Sequence, residues 1–178
     1  MFYKSIIITS LILLFTACST SDNAIFHTQF NFSAVTSYSI YHRNSDFTDT
    51  QNLADTRRNS IEIAIEKSME RRNFHYTKPE DADIVVTYHM IKNPSDYKRY
   101  NKAVLFCQQC LQANNWHQGS DRLTVKVNSL IIDLVDPNRR RSVWRSIQPL
   151  NIKDKDNSQE INEKIQQAVN DMLVQYPK

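Results

Sequence analysis

The most apolar stretch of the chain stands at its start. Residues 6–15 hold eight apolar side chains, interrupted only by Thr9 and Ser10. Further on the periodicities are those of a folded domain. The segment "FNFSAVTSYSIY" (30–41), rich in aromatic and β-branched residues, predicts a strand around Thr36–Tyr41. After a polar loop, "TRRNSIEIAIEKSMERRNF" places Ile61, Ala64, Ile65 and Met69 on one face of a helix, with Glu62, Glu66 and Glu70 largely off it. "YTKPEDAD" breaks that helix, and "IVVTYHMI" (84–91) predicts a strand buried on at least one face.

Residues 92–121 are polar and irregular and read as an inserted loop or loose helix. Apolar alternation returns at Leu123, Val125 and Val127, then changes phase to Leu130, Ile132 and Leu134. A slip at Asn128–Ser129 predicts a bulge or a break between two strands, because side chains change face with period two. "DPNRRR" supplies a turn and "SVWRSIQP" the returning strand of a hairpin. The last element is the most regular. Ile161, Ile165, Ala168, Val169, Met172, Leu173 and Tyr176 form one stripe, Asn157 with Glu160 resembles a capping box, and Pro177 ends the helix. The expected fold is α+β: a mixed sheet of about four to five strands with two amphipathic helices packed on one face. Its first strand–helix–strand unit is a candidate parallel crossover.

The opening apolar run is too short to span a bilayer, which takes about 18–20 apolar residues. One charge at Lys4, the apolar run and small residues before Cys18 fit a secretory signal. "FTAC" (15–18) resembles the lipobox of bacterial lipoproteins, with Phe15 where Leu is commoner. That resemblance implies cleavage before Cys18 and acyl chains on its sulfur. With two or three chains, each buried CH₂ contributing about 0.8 kcal/mol, release from the membrane becomes negligible. Ser19, not Asp, follows the cysteine, which in Gram-negative lipoproteins implies passage to the outer membrane. The expected organisation is a signal peptide at 1–17, a lipidated N-terminus and tether at 18–29, and one periplasmic domain at 30–178.

Charge and composition narrow the field. The precursor carries a net +3, and loss of Lys4 leaves too small a surplus for nucleic-acid binding, which needs a concentrated basic face. Gly119 is the sole glycine. Phosphate-cradling loops, dinucleotide fingerprints and nucleophile elbows need glycines where backbone approaches a ligand or turns sharply, so none of them can be written into this chain.

Several segments together resemble the bacterial lipoproteins grouped as domain of unknown function 4136. "NFSAVTSY" resembles that family's opening strand, "RRNSIEIAIEKSMERRNF" its first helix and "ADIVVTYH" its second strand. "NSLIIDLVDPNRRRSVWRS" resembles its hairpin and "KIQQAVNDMLVQYP" its closing helix. Members commonly carry Gly where Asn128 stands, and Asn tolerates left-handed φ better than most residues. The resemblance implies a lipidated periplasmic α/β domain of unknown molecular role and carries over no catalytic residue.

The sharpest chemical candidate is "CQQC", Cys107 and Cys110. Such a pair can be a structural disulfide, a dithiol–disulfide couple or two metal thiolates. His117 is a candidate third metal ligand and His89 a distant fourth, the latter otherwise a half-exposed sheet residue. Asp136 is expected to cap the hairpin turn, Asp133 to face solvent or hold a backbone group, and Trp144 to pack in the core. Arg139, Arg140 and Arg141 on the turn tip are a candidate contact surface for anionic lipid or a partner's carboxylates, or a solvated turn that protects the hairpin edge. "YKRYNK" (97–102) reads as a surface contact patch. The expectation is a non-enzymatic outer-membrane lipoprotein without cofactor, held to the membrane by its N-terminal lipid and binding an envelope protein or glycan. The alternative is a periplasmic thiol-redox or metal-binding protein using Cys107 and Cys110.

Overall fold

The computed structural model describes residues 24–41, 53–105 and 125–177. Within them six strands form one mixed sheet: β1 (Ala24–Phe26), β2 (Ser37–Ile40), β3 (His75–Tyr76), β4 (Ile84–Ile91), β5 (Ser129–Asp136) and β6 (Arg141–Pro149). Their order is β1-β6-β5-β4-β2-β3. β2 runs parallel to β3 and β4, and the remaining pairs are antiparallel. Three helices accompany the sheet: α1 (Asp55–Glu70), α2 (Pro94–Leu105) and α3 (Ser158–Leu173).

The helical stripes read from the sequence are the inner faces of α1 and α3. Ile61, Ala64, Ile65 and Met69 of α1 meet Ile165, Ala168, Val169, Met172 and Leu173 of α3 over Ile84, Val86, Tyr88, Leu130, Ile132, Leu134 and Trp144 of the sheet. Each large apolar side chain fully buried there contributes roughly 1.5–3 kcal/mol. The capping box forms: Asn157 Oδ1 accepts from the backbone N–H of Gln159 and Glu160, and Glu160 Oε2 accepts from Asn157 N at 2.8 Å. α1 closes through Asn73, at φ 63°, where a short polar side chain tolerates the left-handed turn. Phe74 N then donates to Met69 O, which folds Phe74 under the helix end.

The strand and helix counts need correcting to six and three among the described residues. β1 and β3 are three and two residues long, too short for alternation to register. β1 lies inside the segment read as tether. α1 and α3 share one face as expected, but α2 covers the other, where Tyr100 and Val104 pack on Ile25, Ile91, Ile131, Val135 and Ile147. Within the segment read as an inserted loop or loose helix, Pro94–Leu105 is therefore a capped helix. Asn93 Oδ1 accepts from the N–H of Ser95 and Asp96, and Asp96 Oδ2 accepts from the N–H of Lys92 and Asn93.

The phase slip is a break. Val127 is exposed, Asn128 turns at φ 63°, and its N–H donates to Ile91 O at 2.7 Å as β5 begins. A true bulge lies in the hairpin, where Leu134 faces Trp144 while Val135 faces Ser142, so Val143 is the extra residue. It lets Val143 and Trp144 both enter the α1/α3 core. Among the described residues, no helix is long and apolar enough to cross a membrane.

Candidate functional site

Cys18, Cys107, Cys110 and His117 lie outside the described residues. Among the described ones, no cluster of three or more His, Cys, Asp or Glu side chains is placed to hold a metal ion. The chemistry that the structure does describe lies in two places: beneath α2, and at one end of the sheet.

Beneath α2, three strands carry one polar row. Thr87 of β4 stands opposite Asp133 of β5, which stands opposite Arg145 of β6. Arg145 grips Asp133 with two hydrogen bonds, Nε to Oδ1 at 2.9 Å and Nη2 to Oδ2 at 3.1 Å. Ser142 Oγ donates to Oδ1 at 2.5 Å and Tyr100 Oη to Oδ2 at 2.8 Å. Tyr100 Oη also meets Thr87 Oγ1 at 2.8 Å, and Arg145 Nη1 donates to Asn101 Oδ1 at 2.6 Å. The guanidinium carbon lies 5.7 Å from the Tyr100 ring centroid and 5.9 Å from that of Tyr97.

Asp133 and Arg145 are 0% and 1% exposed at their side chains. Burial alone would lower the Arg145 pKa, yet the Asp133 carboxylate and its hydrogen bonds hold it above the ordinary arginine value. Burial, and then Asp133, pushes the Tyr100 phenol well up. Thr87, Tyr100, Asp133, Ser142 and Arg145 are all buried and hydrogen-bonded, so the cluster fastens α2 to the sheet. The expectation that Asp133 faces solvent or serves a backbone group is thereby corrected: it is the centre of a buried ion pair.

His89 is also corrected. It is 1% exposed, not half exposed, and its ring stacks on Tyr100 at 4.8 Å and 9°. Among the described residues neither ring nitrogen has a hydrogen-bond partner. Its pKa falls to about 4, chiefly through burial, with Asp96 opposing and Arg99, Lys92 and Arg145 adding to the fall. The "YKRYNK" patch turns inward through Tyr100. Trp144 is core, and Asp136 caps the turn by accepting from Asn138 N and Arg139 N.

The second place is the end of the sheet that carries the β5–β6 turn. Arg139 and Arg140 are exposed there, Arg139 lying 3.6 Å from Asp136. Arg141 is half buried with Nη2 3.3 Å from His27 Nε2. β4 begins at this end, and Asp83 just before it accepts from Thr36 N, Ser37 N and Thr36 Oγ1. Those bonds, the Thr36 N–H first, hold its carboxyl below the usual range. The C-terminal ends of α1 and α3 converge here around Tyr176. Its ring meets Phe32 edge-on at 5.3 Å and Phe74 at 5.2 Å, and its hydroxyl donates to Phe32 O at 2.7 Å.

These rings floor an open groove of about 750 Å³, rimmed by Arg71, Arg72 and Val174. Arg71 donates to Ser68 Oγ and Asn170 Oδ1, and Arg72 to Ser68 O. Burial, and then Arg71, lowers the Arg72 pKa. Sequence reading missed the groove. Its only signal was the aromatic density of "FNF" and "NF", which belongs equally to a core.

A family model described as "Domain of unknown function (DUF4136)" matches residues 23–178. Among solved structures, a DUF4136 family protein from Bacteroides thetaiotaomicron superposes with a TM-score of 0.53 at 16% identity, covering 85% of this chain and 92% of that one. A PDZ domain protein from Parabacteroides distasonis gives a TM-score of 0.47 at 12% identity, covering 87% of this chain and 35% of that one. No curated protein matches the chain.

Proposed function

The chain belongs to the family of domain of unknown function 4136, and from that premise we propose that it is a lipid-anchored binding module of the outer membrane, facing the periplasm and acting without catalysis of its own. The lipid is carried by Cys18. The partner, an envelope protein or glycan, meets the end of the sheet that bears the groove and the Arg139–Arg141 turn.

One observation carries this reading: the placement of β1. It begins at Ala24, six positions after Cys18, and runs antiparallel to β6 with Ala24 opposite Ser146 and Phe26 opposite Trp144. The chain therefore enters from the Pro149 end of β6, away from the β5–β6 turn. Six extended steps span at most about 20 Å. A lipid on Cys18 keeps the Pro149 end of the sheet close to the bilayer and directs the groove and the arginine turn outward. That placement supports the arginines meeting a partner's acidic groups and not the headgroups of their own membrane.

The test is a pair of measurements in intact cells. Metabolic labelling with an alkynyl fatty acid is expected to mark the wild-type chain and not Cys18→Ser. Photo-crosslinking residues placed at Arg140 and Val174 are expected to capture a defined envelope component, while one at Lys153 captures none. Absence of acyl label on the wild type, or capture from Lys153 equal to that from the groove end, would overturn the reading.

A further inference from the structure

The groove at the outward end has features that a mere gap between helix ends lacks. Its volume of about 750 Å³ lies in the range of small-molecule sites, roughly 300–1,000 Å³. Its floor is apolar, built by Phe32, Phe74 and Tyr176 in edge-to-face contact. On its rim Val174 is 55% exposed, one of few large apolar side chains so placed. Arg71 and Arg72 both line the groove, and among the described residues neither has a carboxylate within ion-pairing distance. Their known partners are neutral oxygens of Ser68 and Asn170. These bonds fix both head groups in place and leave N–H groups over for an incoming anion, since each guanidinium carries five.

Arg72 adds a reason why an anion should enter. Burial and the neighbouring Arg71 charge both disfavour its protonated form, and the opposite charge of a bound carboxylate would offset them. Arginine pairs recognise planar oxyanions through parallel N–H bonds, whereas the aromatic floor offers nothing to a charged body. The two requirements together define the guest.

We propose that this groove binds a small carboxylate carried on an aromatic or aliphatic body, the carboxylate held by Arg71 and Arg72 and the apolar part laid against Phe32, Phe74, Tyr176 and Val174. The proposal rests on the binding-module reading only in taking the outward end as the ligand-bearing one, and it does not require the lipid.

The test uses the full chain in phosphatidylcholine nanodiscs, with empty nanodiscs as the blank for partitioning. Phenylacetate, 2-naphthylacetate and octanoate are titrated by calorimetry beside 2-naphthylethanol, which has the same ring and no charge. At least one acid is expected to bind saturably below millimolar concentration, and 2-naphthylethanol at least tenfold more weakly than 2-naphthylacetate. R71Q/R72Q is expected to weaken acid binding at least tenfold. Because Arg72 also ties α1 to α3, Val174→Glu supplies a second variant at an exposed position, which retains the fold and repels the acid. Absence of saturable binding by all three acids, equal affinity of 2-naphthylacetate and 2-naphthylethanol, or unchanged binding in Val174→Glu would each overturn the proposal. None of these outcomes bears on acyl labelling at Cys18, so the two readings fail separately.

Discussion

Replacing Asp133 by Ala removes the acceptor on which four hydrogen bonds converge: two from Arg145, one from Tyr100 and one from Ser142. The loss is unequal among them. Tyr100 keeps Thr87 Oγ1, and Ser142 keeps the carbonyl of Trp144 at 3.0 Å. Among the described residues Arg145 keeps only the Asn101 amide oxygen, and it is left as a buried charge. Removing one member of a buried pair costs about 3–5 kcal/mol, most of it the stranded charge. Against a total stability of roughly 5–15 kcal/mol, this is a severe lesion.

In urea, with a slope of about 1–3 kcal/mol per molar, Asp133→Ala is expected to lower the unfolding midpoint by about 2 M, with α2 losing amide protection before the rest of the sheet. The companion D133L/R145M removes both charges together. It should recover at least about 2 kcal/mol of the loss, because a buried pair exchanged for apolar residues is often neutral or better. A cost below about 1 kcal/mol for Asp133→Ala would refute the reasoning, as would a double variant no more stable than the single one. Either result means that the pair is hydrated and that α2 does not depend on it.

The remaining expectations are smaller. His89 has a folded-state pKa near 4 against an ordinary value of 6.5, so the unfolded chain binds its proton first as pH falls. Its contribution is therefore complete above about pH 6.5 and lost on the way down to about pH 4. At 1.36 kcal/mol per unit the loss totals about 3 kcal/mol. His89→Phe should flatten that part of the stability–pH curve, and an unchanged slope would count against the burial argument. Asn157→Ala removes the α3 cap and should cost about 1 kcal/mol in urea titrations. Asn128→Gly should be neutral or slightly stabilising, whereas Asn128→Val, forced to φ 63°, should cost about 1–2 kcal/mol by the same measurement.

Legibility in the sequence followed the length of each pattern. α1 and α3 each run sixteen residues, enough for a 3.6 period to repeat four times, and their buried apolar positions were readable one by one, though not the buried Arg58 and Ser68 of α1. β1 and β3 contain fewer residues than one cycle of alternation needs to show itself. They exist because a neighbour supplies the hydrogen bonds: β6 for β1, and β2 for β3. α2 was obscured for a different reason. Its inward face carries Tyr100 and Val104 on one side and Asn101 toward Arg145, so the stripe is part polar and does not stand out from its surroundings. The pair it covers had a faint trace. Asp133 and Arg145 are each a charge set in an apolar strand, in "LIIDLV" and "VWRSI", and a hairpin brings such positions opposite one another. Pairing them by counting from the turn fails by one residue, because the bulge at Val143 shifts the register. Local sequence carries no sign of that shift.

The unequal treatment of the two sheet faces bears on where a partner can dock. On one face α1 and α3 bury a wide apolar layer whose loss would unfold the domain. On the other, a short helix is held by an ion pair and a stacked His–Tyr pair over a narrower apolar patch. Both faces being covered where the described helices lie, chemistry open to solvent gathers at the strand edges and the sheet's ends. The edges are short: β1 offers three residues and β3 two, with Tyr76 61% exposed. Strands of that length make poor templates for adding a foreign strand. The Pro149 end lies on the side from which the chain enters β1. By this reasoning the end of the sheet that carries the β5–β6 turn, where the aromatic floor, two arginines without carboxylate partners among the described residues and the arginine turn come together, is a surface with both the room and the chemistry to hold something.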